Sequence, residues 1–167
     1  MSEHTDSHPE IPLDPDTPSV GEGPSLATHL SLLSLLLVAA GGVGGTAVRY
    51  SVSLALPTRT GQWPTGTFVV NMSGALILGL LLEGLARRGP DVGSRRQLRL
   101  LFGAGFCGSL TTYSTLATES DLLVRSHDAG LAIAYAVTSV IGGLVLAAAG
   151  VAIAGAHHRQ RVQRSAS

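Results

Sequence analysis

The sequence predicts an all-α membrane protein of four transmembrane helices whose third helix is broken, and three observations carry that expectation. Hydrophobic residues make up 45% of the 167-residue chain and charged ones only 13%. Four long stretches carry no charge at all, and they lack the polar stripe at helical period that a soluble bundle would need. One of the four is crowded with hydroxyls and glycines in its middle, a pattern that bilayer hydrocarbon tolerates only where backbone leaves the helix and lines something polar. Glycine is the unusual excess, at 21 residues, and small residues let membrane helices approach closely.

Residues 1–28 hold six acids, five prolines and no arginine, so they read as a disordered acidic tail. They also lack the basic leader of a secretory signal. The four-span domain covers 29–156. Its first span, about 30–56, is free of charge from Leu30 to Val48, which at ~1.5 Å per residue reaches ~28 Å, close to the ~30 Å hydrocarbon thickness. Gly41 and Gly45 stand in GxxxG spacing within its GGVGGTAVRY segment, and Arg49 follows them. Pro57 and the loop TRTGQWP lead to a second span, about 65–83, with Asn71 inside it. The third span, about 98–124, contains GAGFCGSLTTYSTLATE. There Gly103, Gly105 and Gly108 precede Ser109, Thr111, Thr112, Ser114, Thr115 and Thr118, and the break is expected among them. A short polar loop then enters the fourth span, about 129–156, and residues 157–167 form a basic C-terminal tail.

Arginine supplies all 11 basic residues and fixes the expected topology. With an even number of spans, eight arginines (Arg87, Arg88, Arg95, Arg96, Arg99, Arg159, Arg161 and Arg164) share a side with both termini. Arg59 and Arg125 lie opposite, with Arg49 as a third at most. The positive-inside rule therefore places both termini in the cytoplasm of a multi-pass cell-membrane protein.

Polar side chains at membrane depth are costly and mark a pathway or a site. The Asn71 amide can donate to an anion or bond a neighbouring helix. The first reading gains because other donors gather in the same chain. Hydroxyls and freed amides in the broken span suit a hard anion, and freed carbonyls suit a hard cation. Tyr135 and Ser139 are four apart on the fourth span and share a face, where helix packing is the competing role. No Ser–His–acid set, metal-ligand spacing or phosphate loop is present, so the chain does not read as an enzyme. Cys107 is the single cysteine, which excludes an internal disulfide.

The segments GGVGGTAVRY, GTFVVNMSGALILG and, above all, GFCGSLTTYSTLATE together resemble the Fluc family of small fluoride channels, also called CrcB, over roughly Ala39 to Gly150. The resemblance implies an antiparallel dimer of four-helix subunits in the membrane lipid, with two narrow pores and a central structural sodium ion that is not transported. It implies that backbone carbonyls of Gly108 and Thr111 hold the sodium. It places Asn71 on the fluoride path with Thr112 and Ser114, Arg49 at the vestibule, and Tyr135 and Ser139 on a polar track, while Glu119 ends the third motif. That motif typically reads TTFSTF in the family, with two phenylalanine ring edges facing fluoride; here the two positions hold Tyr113 and Leu116. Gly143 stands where a further hydroxyl usually continues the track.

The expected function is passive export of cytoplasmic fluoride. An antiparallel homodimer needs one chain inserted both ways, which the arginine bias opposes, so the expected partner is a homologous subunit of opposite orientation. No nucleic-acid partner is expected. Two alternatives remain: a non-conducting partner subunit, suggested by Leu116, and a small multidrug-type exporter. The exporter wants a carboxylate deep in a span, whereas Glu83 and Glu119 fall at span ends in this reading.

Overall fold

The computed structural model describes residues 31–59 and 61–165, and among them the chain is helical without a strand. The acidic segment 1–28 lies outside the described residues. Helix α1 spans Leu32–Ala55, α2 Thr65–Ala86 and α3 Ser94–Leu98. A π-helical segment, Arg99–Cys107, leads into the short α4, Gly108–Leu110. Helix α5 then runs Tyr113–Arg125 and α6 Ala129–Ser165, so α6 continues through most of the stretch read as a C-terminal tail.

Three of the four expected spans are single helices long and apolar enough to cross a membrane: Leu32–Ala55, Thr65–Ala86 and Ala129–His157. The remaining one is not a single helix. It is divided among α3, the π-segment, α4 and α5, and none of these pieces alone meets the length of a span. Two extended residues make the division, Thr111 (φ −80°, ψ 154°) and Thr112 (φ −150°, ψ 123°).

Local sequence explains the ends of the long helices. Pro57 disfavours helical geometry at the residue before it, and α1 stops at Ala55. Past α2 the chain turns at Gly89 (φ 112°) and again at Gly93 (φ 57°), backbone angles that a residue with a Cβ rarely adopts. Between α5 and α6 the turn uses His127 at φ 65°, and Asp128 Oδ1 then accepts from Leu131 N at 3.3 Å to cap α6.

Packing follows the small residues. The GxxxG pair Gly41 and Gly45 lets α1 lie directly on the π-segment. A Cβ at Gly41 would overlap the Leu101 carbonyl oxygen, and one at Gly45 would overlap the Phe106 carbonyl and the Ser109 hydroxyl. Helix α2 meets α6 in the same way, with Gly79 against the Ala147 backbone. The buried apolar cluster is small: Leu116, Leu123, Ala132 and Tyr135, flanked by Trp63, Phe68 and Leu131. Large aliphatic side chains on α1 and α6, among them Leu32, Leu36, Val43, Ile133, Leu144 and Val145, stay exposed, as lipid-facing positions do.

Candidate ion pathway

The break in the third expected span is held open by one side chain. Asn71, on α2, accepts from Thr112 N through Oδ1 at 2.8 Å and donates from Nδ2 to Thr112 O at 3.1 Å. Its amide thus pairs with an extended residue as a neighbouring strand would. Gly74, one turn further along α2, makes room for the chain there, since a Cβ would run into the Thr111 methyl group. The break is closed off on the α5 side by Thr112, whose Oγ1 accepts from Thr115 N at 3.2 Å as a helix N-cap.

These bonds divert two backbone donors. In a continuous helix Thr112 N would donate to the Gly108 carbonyl and Thr115 N to the Thr111 carbonyl. Here the first goes to Asn71 and the second to Thr112 Oγ1. The carbonyls of Gly108 and Thr111 therefore lose their usual partners, and Gly108 lies exposed. Carbonyl oxygens in that state are hard donors of the kind sodium takes. The Thr111 amide and hydroxyl both donate to Cys107 O, at 3.0 and 2.9 Å, so that hydroxyl is bonded back to its own turn. Ser109 and Thr118 behave likewise, to Gly105 O and Ser114 O. Ser114 and Thr115 bond instead to the Thr112 hydroxyl, each at 3.1 Å.

A cavity of about 270 Å³ opens beside the break. Arg49 lines it together with Thr46, Ser53, Thr67, Thr112 and Thr115. Among the described residues Arg49 has no ion-pair partner. An unpaired guanidinium ringed by hydroxyls gives the cavity a positive potential and several donors, which favours an anion.

A second polar cluster lies next to it. Glu119, midway along α5, accepts from Thr67 Oγ1 at 2.9 Å and from Tyr135 OH at 2.7 Å, so one carboxylate joins α2, α5 and α6. Tyr135 is 0% exposed and its ring meets Trp63 edge-on, centroids 5.4 Å apart. The sequence reading put Glu119 at the end of a span. The structure packs it among three helices near the starts of α2 and α6, since its partners Thr67 and Tyr135 lie in the first two turns of those helices.

The expected site residues therefore fall into separate places. Asn71, Thr112, Ser114, Thr111 and Gly108 gather at the break, with Arg49 in the adjoining cavity. Tyr135 belongs to the Glu119 cluster, and Ser139, four residues on, is buried with no partner for its hydroxyl among the described residues. Tyr113 is 81% exposed, whereas Leu116 is 8% exposed and packs in the apolar cluster. Sequence reasoning did not single out Thr67. Its spacing of four from Asn71 puts both on one face of α2 and was the signal available.

Comparison with known proteins gives the family to which the chain is similar. Residues 36–151 match the family model described as CrcB-like protein, Camphor Resistance (CrcB). The chain is 44% identical over 132 residues (79% of this chain, 90% of the relative) to a protein of Leifsonia xyli subsp. xyli named fluoride-specific ion channel FluC 2. It is 40% identical over 124 residues (74% of this chain, 98% of the relative) to a FluC 2 channel of Moorella thermoacetica. A FluC 1 channel of Cutibacterium acnes is 44% identical over 111 residues (66% and 78%).

Proposed function

Since the chain belongs to the CrcB-like family, we propose that it is a subunit of a fluoride-specific channel that lets cytoplasmic fluoride leave the cell passively, down its gradient. The observation that carries this reading is the unpaired Arg49 in a hydroxyl-lined cavity that adjoins a broken membrane segment. Fluoride is small and strongly hydrated, so a narrow path must replace its water with aligned donors. Arg49 attracts the anion, and the Thr115 hydroxyl, which accepts from Thr112 and keeps its own hydrogen to give, begins the replacement. The Asn71 amide keeps a second N–H beyond the one given to Thr112, and Ser114 lies one bond further along. Tyr135 and the unpartnered Ser139 hydroxyl continue the polar face of α6.

The freed carbonyls of Gly108 and Thr111 are the ligands this chain would offer to a structural sodium ion, which would supply a fixed positive charge beside the path. The likeness to the fluoride-channel family supports reading this chain, its divided third span crossing as one unit, as one four-span half of an antiparallel dimer. The arginine bias of eight against two or three supports a homologous mate of opposite orientation. The exposed Tyr113 supports a partner surface at the break, where an aromatic ring edge would face the ion.

Fluoride efflux from proteoliposomes, read by a fluoride electrode, tests the function with this chain alone and with its mate. Efflux in either case supports it, and retention of fluoride by well-folded protein in both overturns it. The second reading, a non-conducting partner subunit, is favoured by Leu116, which offers no ring edge and lies inside the subunit. A mate that conducts equally well without this chain would establish that reading.

A further inference from the structure

Away from the ion pathway, the turn between α2 and α3 builds an amphipathic cavity of about 280 Å³. One wall is apolar, formed by Leu82, Leu85 and Ala86 at the end of α2, and Leu82 is 42% exposed. The other wall carries Arg95, Arg99 and Asp91. Arg99 forks a single oxygen of Asp91, Nε at 2.8 Å and a terminal nitrogen at 2.6 Å. Arg95 folds its guanidinium over Gly89 and donates to the Arg88 carbonyl. Its Nε, by contrast, is buried and has no acceptor. That enclosed Nε leaves no room for a ligand atom, so Arg95 meets a ligand only through its terminal nitrogens. Two guanidiniums against one carboxylate leave the cavity one positive charge in excess, matching the single negative charge of a phosphodiester.

We propose that this cavity binds the phosphate group of an anionic phospholipid. The placement selects a lipid over a free anion. The guanidiniums stand where α2 ends its apolar run, so a phosphate on Arg95 and Arg99 lets an acyl chain descend along Leu82. Guanidinium suits phosphate because its N–H groups form a planar fork, and Arg99 keeps donors beyond those given to Asp91. Asp91 sets the strength of the site, since its carboxylate competes with phosphate for Arg99. Arg87 takes no part, because it is paired with Glu83 on α2.

The test is native mass spectrometry of delipidated full-length protein, titrated with phosphatidylglycerol or phosphatidylcholine. Phosphatidylglycerol should be retained preferentially. Arg95→Gln should weaken it by about five-fold, the effect of one basic residue at a membrane surface. Asp91→Asn should strengthen it by a similar factor, about five-fold, and a variant that merely loosened the turn would not do so. Arg125→Gln, which alters an exposed arginine paired with Asp121 on α5, should leave retention unchanged. Equal retention of both lipids, no gain in Asp91→Asn, or displacement of phosphatidylglycerol by millimolar inorganic phosphate would each overturn the proposal. If Arg95→Gln does not fold, the gain in Asp91→Asn decides the matter.

Discussion

Replacing Asn71 by alanine removes the only side chain that bonds both backbone groups of Thr112, and its cost can be worked from those two bonds. Their lengths, 2.8 and 3.1 Å, are those of ordinary hydrogen bonds. Each contributes about 1 kcal/mol net, and a buried group left without a partner costs about 1–3 kcal/mol. Thr112 also lines the Arg49 cavity, so water can reach part of the exposed backbone and the lower end of that range applies. Asn71→Ala should therefore lose about 2 kcal/mol, a roughly thirty-fold shift in the unfolding equilibrium. Asn71→Asp is the sharper probe. Its carboxylate still accepts from Thr112 N, but its second oxygen faces the Thr112 carbonyl, acceptor against acceptor, so stability should fall at least as far as in Asn71→Ala, and a negative charge now stands beside the anion path. Reversible unfolding in detergent gives the stability, and proteoliposome efflux gives the flux. Both variants should fall in both measurements, and Asn71→Asp further in flux than Asn71→Ala. An Asn71→Ala protein as stable as the parent would refute the claim that this amide holds the break open.

Gly41→Leu should destabilise the packing of α1 on the π-segment by roughly 3 kcal/mol or more, seen as lost monodispersity, because its Cβ overlaps the Leu101 carbonyl. Gly42→Ala is the matched control and should be neutral, since nothing lies within 4 Å of a Cβ there. Tyr135→Phe leaves Glu119 with one donor instead of two and should cost about 2 kcal/mol, as hydrogen bonds to carboxylates do, with a measurable drop in efflux. Arg49→Gln should slow efflux by roughly ten-fold without changing the unfolding midpoint, and the parent's rate should fall more steeply with salt than the variant's.

Much of this architecture was legible in the residues. The three continuous spans followed from charge-free length, and the close contact of α1 followed from the spacing of Gly41 and Gly45. The break was expected from the hydroxyl-rich run, and Thr111 and Thr112 lie within it. What could not be read was the agent that stabilises it. Asn71 is 41 residues away from Thr112 in the chain, and only tertiary packing of α2 brings them together. Leu116 shows the same limit. Three apart on α5, Leu116 and Tyr113 would be read onto one helix face, yet Tyr113 is exposed and Leu116 is buried. The π-winding of Arg99–Cys107 had no clear signature either, because its glycines are equally good markers of close packing.

That winding sets a rotational phase for everything that follows it. A π-turn advances through a smaller angle per residue than an α-turn, so α4 begins at an azimuth that ordinary winding from Arg99 would miss. Were the same nine residues to wind as an α-helix, Gly108 and its carbonyl would swing round the axis, away from Asn71 and the gap it keeps. The nine residues work as a vernier, and the length of that run is as much a part of the pore's specification as any side chain along it.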